Sequence, residues 1–375
     1  MTAADTLVIG GGVTGTVAAI ALAEQGARVT ILDAATNAGS DSNAGSLHVQ
    51  MQSRFMRLYP DQVANVEASL PFYREAADVW AQLDQDLGGL ELVRQGGLML
   101  AESADQLAFL ETKAKREASK GLKVEILDRT ALDKVAPWLG PQIVGAELCK
   151  DEGKLNPLIA NAKLKAWSAT LGVERRTVRV ERLDQGPGDI SAVTSDGIFG
   201  ADQVIIAAAW GSGDLVAPFG ITIPTKAEPL HMNITESGAP AIHHLVQHAE
   251  RSITLKQFGS GQIVIGGGWP ATGRGANHPP AVASSSLMGN VALAAKLVPR
   301  IAGLRVIRTW AGMNTTIDGA SVIGRLPQTD RIIMAIPGDA GYTLGPLVGQ
   351  AAAAFALGEK PDTDVERFSP HRFAA

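Results

Sequence analysis

The chain has 375 residues, 46% of them hydrophobic, with 33 Lys and Arg against 38 Asp and Glu and a formal net charge of -5. Length and apolar content support a sizeable buried core in two domains or one interleaved pair, and exclude a disordered chain; the acidic balance excludes the basic field that draws nucleic acid backbones. A single cysteine, Cys149, excludes an internal disulfide framework and cannot by itself ligate zinc or an iron–sulfur cluster.

In chain order, Leu7-Val8-Ile9 predicts a short buried strand, too brief and too soon followed by glycines for a signal peptide. It delivers Gly10-Gly11-Gly12-Val13-Thr14-Gly15, which fits G-x-G-x-x-G with glycines at 10, 12 and 15. Gly10 permits the tight turn, Gly12 lets the backbone approach a pyrophosphate, and Gly15 lets helix pack on strand. The helix predicted from Val13 to about Gln25 turns its positive end toward the phosphates. Gly26 stops it, and the strand predicted over Arg28 to Leu32 ends at Asp33, spaced from the glycines as an acid that accepts hydrogen bonds from an adenosine ribose. A lone glycine loop is weak evidence, because such turns also serve structural ends. Strand, glycines, helix, strand and acid in order are much stronger, yet they leave FAD and NAD both open.

Helical spacing covers residues 60–90 and 103–120, and Leu98-Met99-Leu100 predicts a strand entering a second sheet. A small-residue helix is expected from Pro157 to Gly172 behind Asn156. Val178 to Leu183 and Ile190 to Thr194 alternate like paired strands, with a tight turn at Asp196-Gly197. Val204 to Ala209 is a continuous apolar run suited to a parallel sheet. Leu230 to Thr235, Ile253 to Gln257 and Gln262 to Gly266 arrive without intervening helices and predict an antiparallel sheet. Gly266-Gly267-Gly268 is assigned to a turn, since Pro270, Pro279 and Pro280 forbid the helix a nucleotide loop must feed. The chain returns at Ile332 to Ala335 to a buried strand, followed by glycines and a helix. No window approaches the roughly 20 apolar residues of a membrane span. The expectation is a cytoplasmic protein, with attachment to a membrane through a partner left open.

Taken in order, these segments resemble the D-amino acid oxidase and glycine oxidase superfamily of flavoproteins. The resemblance rests on the N-terminal loop, Ser42-Asn43-Ala44-Gly45-Ser46, Gly153 to Pro157, Val204 to Trp210, Trp310-Ala311-Gly312 and Gly338 to Pro346. It implies FAD, and an α/β (α+β overall) fold of glycine oxidase type: a Rossmann-type FAD-binding domain over 1–85, 150–215 and 318–375, interleaved with an antiparallel-sheet substrate domain over 86–149 and 216–317. Gly10, Gly12, Val13, Thr14, Gly15 and Asp33 would hold the ADP half. Ser42, Asn43, Ala44, Gly45, Ser46 and Leu47 would line the pyrophosphate and ribityl chain, and Val178 would meet the adenine. Ala208 and Trp210 match a strand end near the middle of the flavin; Gly338, Gly341, Tyr342, Thr343 and Leu344 match the helix start beside its ring, with an ordinary N-cap as the alternative for Thr343. A narrower resemblance, to the FAD subunits of multi-component amine dehydrogenases such as opine oxidase, hydrogen cyanide synthase and D-hydroxyproline dehydrogenase, implies a second flavin-binding subunit and a small iron–sulfur subunit.

Two departures matter. Many relatives carry an arginine after Trp-Ala-Gly that forks onto the substrate carboxylate, whereas here Met313, Asn314, Thr315 and Thr316 follow. Asn314 with Thr315, or a base such as Arg54, Lys256 or Arg308, would have to take its place, although a surface or structural ion pair explains each base equally well. Where sarcosine-oxidase relatives carry a lysine beside the flavin, this chain has Val264, which points to a dehydrogenase rather than an oxygen-using oxidase. Cys149 and His48 are misplaced for a covalent flavin link, so non-covalent FAD is expected. His244 and His248 have metal-ligand spacing without the further ligands, and no metal site is assigned. His231, with Met232, and Tyr342 complete the substrate-pocket candidates. The activity implied is oxidation of the C–N bond of an amino-acid-like amine (an opine, a D-amino acid, an N-substituted glycine or D-hydroxyproline) by hydride transfer to flavin N5. A stand-alone oxidase, a non-catalytic flavin relay subunit and an NAD-dependent dehydrogenase are the alternatives.

Overall fold

The computed structural model describes residues 4–275 and 278–374. Its contacts divide the chain into two units, 1–41 with 158–227 and 314–375, and 42–157 with 228–313. The division differs from the expected one mainly at 42–85, which falls in the second unit. There Ser46–Leu47 pairs antiparallel with Gly153–Lys154, so the segment is tied to its own unit by a two-stranded ladder.

The first unit opens with β1 (Ala4–Ile9), α1 (Val13–Glu24) and β2 (Val29–Asp33), close to the bounds read from the sequence. It continues through α2 (Pro157–Thr170), β3 (Glu174–Thr177), β4 (Val180–Gln185), β5 (Ile190–Thr194) and β6 (Gly197–Ile206). The last segment adds β7 (Val322–Leu326), β8 (Thr329–Ile336) and α3 (Gly341–Leu357). The sheet runs β7-β8-β6-β1-β2-β3, with β5 pairing β6 and β4. β1 lies parallel to both β2 and β6, and β6 parallel to β8, which is why Val204, Ile205, Ile206, Ile332, Ile333 and Met334 are apolar without a break and fully buried. β4 and β5 form the antiparallel pair read from the alternation, and Thr194 meets Gly197 across the turn into β6. α3 lies against α1 so closely that a Cβ on Gly349 would stand 2.5 Å from Thr14 O.

The second unit carries an eight-stranded sheet in the order Val306–Thr316, Lys226–Thr235, Ile263–Gly266, Thr254–Gln257, Leu245–His248, Gly97–Ala101, Gly145–Cys149, Val124–Asp128. The expectation of an antiparallel sheet needs correction at one pairing: Leu245–His248 runs parallel to Gly97–Ala101. Parallel neighbours need a long crossover, and here the chain between them includes a whole excursion through the first unit. Leu255, Ile263 and Ile265 point to the face covered by the helix Ser284–Leu297, where they share a core with Leu293, Ala294 and Leu297. Gly267 and Gly268, both at positive φ, turn the chain out of the strand ending at Gly266, and the next helix begins only at Ser284. Among the described residues no helix is long and apolar enough to cross a membrane.

Candidate active site

In the first unit the glycine loop leaves β1 through Gly10, whose φ of 103° only glycine adopts without strain. A Cβ on Gly15 would overlap Gly10 O and reach 3.0 Å from Val8 Cγ1, so the helix is seated on the turn at van der Waals contact. Gly12 caps α1 without a side-chain bond, leaving first-turn amides for a ligand, although one of them, Val13 N–H, donates to Ser40 Oγ at 2.9 Å. Asp33 closes β2; its Oδ1 accepts from Ala35 N at 3.1 Å and its backbone O accepts from Val178 N at 2.9 Å. The loop, the helix end and the acid fit the pyrophosphate and ribose of a dinucleotide.

A second group forms around the start of α3. Gly338 turns the chain at φ 83°, and α3 begins at Gly341 behind Ala340, which makes no side-chain capping bond. Tyr342, expected near a substrate, is buried and donates from its hydroxyl to Asn161 Oδ1 at 3.0 Å; burial raises its pKa further above the ordinary phenol value. Asn161 Nδ2 in turn donates to Ser40 O at 2.9 Å. Ser40 and Asn161, which sequence reasoning missed, therefore tie α1, α2 and α3 together through polar bonds. Nothing in their spacing announces this, because the partners come from three distant segments. Thr343 and Leu344 are buried in the first turn of α3, while Asn314 donates to Asp339 Oδ1. Ala208 leads into Ala209, a non-glycine residue at φ 52°, and then Trp210, whose carbonyl accepts from Thr225 Oγ1. An αL residue at a strand end is a strained position of the kind that accumulates at ligand sites.

In the second unit, Asn43 Oδ1 accepts from Gly45 N at 2.7 Å, and Ser42 O accepts from Trp310 Nε1 at 2.9 Å. Lys256, fully buried, donates to Ser46 Oγ at 2.6 Å. Burial, with Lys154 nearby, lowers the Lys256 pKa to about 7, and burial lowers that of Lys154 to about 8. Lys256 is the cross-strand partner of Val264. Lys256 therefore stands beside Val264 on the same face of the sheet.

His231 and Lys256 lie on opposite faces of this sheet, so a ligand on one face cannot meet both. Asn290 Nδ2 donates to Gly266 O at 3.0 Å, Asn233 Nδ2 to Asn290 Oδ1 at 2.9 Å, and His231 Nε2 lies 2.8 Å from Asn233 Oδ1. That chain turns His231 toward the helix Ser284–Leu297 and away from Lys256 and Val264. Arg54 is paired with Glu228, and Arg308 is exposed, its guanidinium 5.9 Å from the centre of the Trp310 ring.

The chain beyond Leu47 is held by buried charge. Glu152 Oε1 accepts from Val49 N and Gln50 N at 2.9 and 3.2 Å, and Glu117 Oε1 from Met51 N at 2.6 Å. Lys113 Nζ lies 2.8 Å from both Glu117 and Glu147, all three wholly buried. Burial, reinforced by Glu117 and opposed by Lys113, pushes the Glu147 pKa up to about 9. His244 and His248 are both lowered to about 4, first by burial, and no group of three or more His, Cys, Asp or Glu among the described residues is placed to hold a metal. Cys149 is buried, which pushes its thiol pKa well up.

Lys256 yields one stability prediction. Its folded pKa of about 7 lies below the ordinary value of 10.5, so the unfolded chain binds more protons between those values and stability rises with pH across that window. Lys256→Met is expected to stabilise the FAD-saturated protein by about 1–3 kcal/mol at pH 6 and by little at pH 10. Urea unfolding at both pH values checks this, and equal pH dependence in the two proteins would sink it.

A family model for FAD dependent oxidoreductases, DAO, matches residues 5–355. The chain is 25% identical over 392 residues to glycine oxidase of Bacillus licheniformis, covering 98% of this chain and 97% of that protein. It is 24% identical over 368 residues to the sarcosine oxidase beta subunit of Rhizobium meliloti (strain 1021), covering 94% and 83%. To an opine oxidase subunit of Agrobacterium tumefaciens (strain Ach5) it is 24% identical over 388 residues, covering 99% and 98%. The crystal structure of glycine oxidase from Geobacillus kaustophilus superposes with a TM-score of 0.88 at 21% identity over 99% of both chains, which shows a glycine oxidase-like fold. With a dinucleotide cradle at its start and a family match over nearly its whole length, the chain belongs to the DAO family of FAD-dependent oxidoreductases.

Proposed function

We propose that this enzyme oxidises the C–N bond of an amino-acid-like amine, as the catalytic subunit of a hetero-oligomeric dehydrogenase. The observation that carries the substrate class is the full-length similarity to three relatives named for glycine, sarcosine and opine, all of which bear nitrogen on a carbon next to a carboxylate. Bound FAD would supply the acceptor for hydride leaving that carbon, and the resulting imine would hydrolyse in water.

The chain's own residues bind and position. Gly10, Gly12, Gly15 and Asp33 receive the pyrophosphate and ribose, with first-turn amides of α1 facing negative charge. Asn43 to Leu47, anchored by Lys256 and by the Glu152 and Glu117 carboxylates just beyond, form the stretch assigned to the ribityl chain. The start of α3 offers a positive helix end suited to negative charge on a flavin ring. No acid–base pair is required, because orienting the C–H bond and excluding water are the main tasks.

Assembly with a second flavin-binding subunit and a small iron–sulfur subunit is supported by two of these relatives being named as subunits. Cys149 is buried and alone, so any cluster belongs to another chain. The flavin is expected to be non-covalent and released on acid precipitation.

An anaerobic titration tests the reading. Opines, D-amino acids, sarcosine and D-hydroxyproline are added in turn to the yellow protein, and bleaching of the flavin band by one class is expected. Slow recovery in air would mark a dehydrogenase and fast recovery with peroxide an oxidase. A protein that keeps FAD and is bleached by none of them would overturn the proposed substrate class.

A further inference from the structure

Arg175 belongs to none of the segments that the sequence marks for the cofactor, yet it stands beside the acid of the nucleotide cradle. β3 runs parallel to β2, pairing Arg175 with Ile31 and Thr177 with Asp33. From there the guanidinium reaches along the strand ends: Nη1 donates to Gly11 O at 3.1 Å and lies 3.4 Å from Asp33 Oδ2, and Nη2 donates to Thr16 Oγ1 at 2.9 Å. Thr16 Oγ1 itself donates to Gly11 O at 3.2 Å. One side chain thus joins β3, the glycine loop, α1 and the end of β2.

The consequence falls on Asp33. Its Oδ1 is held by Ala35 N–H and its Oδ2 by Arg175, so both oxygens are fixed. A carboxylate offers about four lone-pair positions, of which roughly two are taken, leaving one on each oxygen for the adjacent hydroxyls of a ribose. Both side chains are 27% exposed, so Coulomb attraction between them contributes little to stability. What the three polar contacts supply is orientation. Gly11 adds an independent trace of the same arrangement. The dinucleotide fingerprint does not ask for glycine there, but a Cβ at 11 would overlap both Arg175 Nη1 and Asp33 Oδ2.

We propose that Arg175 is a positioning residue for the adenosine ribose of FAD, holding the Asp33 carboxylate in its receiving orientation before the cofactor arrives. This rests on the FAD cradle and not on the identity of the amine substrate. Pre-orientation lowers the ordering that binding must otherwise impose, so its loss is read in affinity.

The test is a double-mutant cycle on the full-length apoprotein, titrated with FAD and followed by flavin fluorescence. Arg175→Met is expected to weaken FAD about tenfold, the size of one lost charge-assisted bond. In an Asp33→Asn background the same change should cost less than about twofold, because an effect routed through Asp33 disappears with its carboxylate. Gly11→Ala, which displaces the pair without deleting either member, should weaken FAD in the parent and not in Asp33→Asn, and it carries the test if Arg175→Met folds poorly. Unchanged circular dichroism and apoprotein unfolding midpoint separate positioning from general damage. An equal loss in both backgrounds, or no loss in the parent, would overturn the proposal.

Discussion

Gly15→Ala is expected to purify nearly colourless. The new Cβ would overlap Gly10 O, a backbone atom in the turn that presents the loop, and would press on Val8 Cγ1 in a buried strand. Neither neighbour is the free end of a flexible side chain. Retreat of α1 is blocked on its other side, where α3 packs close enough that Gly349 meets Thr14 O. The strain of overpacking such a contact is about 1–3 kcal/mol, tolerable for the fold. Its release, however, must move either the turn or the helix end, and both belong to the cradle proposed to receive the pyrophosphate. A loss of about 100-fold in FAD affinity follows if two such bonds are weakened. The ratio of flavin to protein absorbance after purification reads it directly, with Gly303→Ala as a control, since nothing lies within 4 Å of a Cβ there. A full flavin complement in Gly15→Ala would mean that the close contact is not what shapes the loop.

The second large effect concerns the buried carboxylates of the second unit. Glu117 Oε2 and Glu147 Oε1 are both buried without a donor, while Lys113 serves the other oxygen of Glu147 and contacts Glu117. Two carboxylates and one ammonium in a dry site share one proton most economically on Glu147, whose pKa stands at about 9 against an ordinary value of 4.5. Between those values the folded state keeps a proton that the unfolded state has lost, so this group's contribution is full below 4.5 and is lost as pH rises toward 9. The slope is at most about 1.4 kcal/mol per pH unit. Glu147→Gln reproduces the protonated form, with its carbonyl toward Lys113 and its amide toward Glu117. It should match the parent near pH 5 and exceed it by about 1–3 kcal/mol at pH 9. Lys113→Met, which strands Glu117, should instead cost about 3–5 kcal/mol near neutral pH. Urea midpoints across pH 5–9 test both, and parallel curves for Glu147→Gln and parent would show that Glu147 is ionised in the fold.

These carboxylates also show where sequence reasoning stops. Glu117, Glu147 and Glu152 read as ordinary charges on an amphipathic helix and among short strands, and nothing local distinguishes them from solvated surface residues. Only the fold encloses all three, and it sets Glu152 and Glu117 on three successive amides at 49–51.

Local chemistry by itself determined the dinucleotide half: a buried strand, glycines whose missing Cβ atoms permit contact, a helix and a terminal acid are all encoded within residues 7–33, and β1, α1 and β2 lie where those signals put them. The unbroken apolar runs at Val204 and Ile332 likewise announced parallel, two-sided burial. Tertiary structure decided the rest, because the interactions join residues far apart in the chain. It set Lys256 across from Val264, turned His231 to the opposite face of its sheet, linked Tyr342 through Asn161 to Ser40, and placed Arg175 against Asp33. Periodicity reports which face of an element is buried; which side chains meet there depends on register and on the order of strands in a sheet, and these are settled only when distant segments pack together.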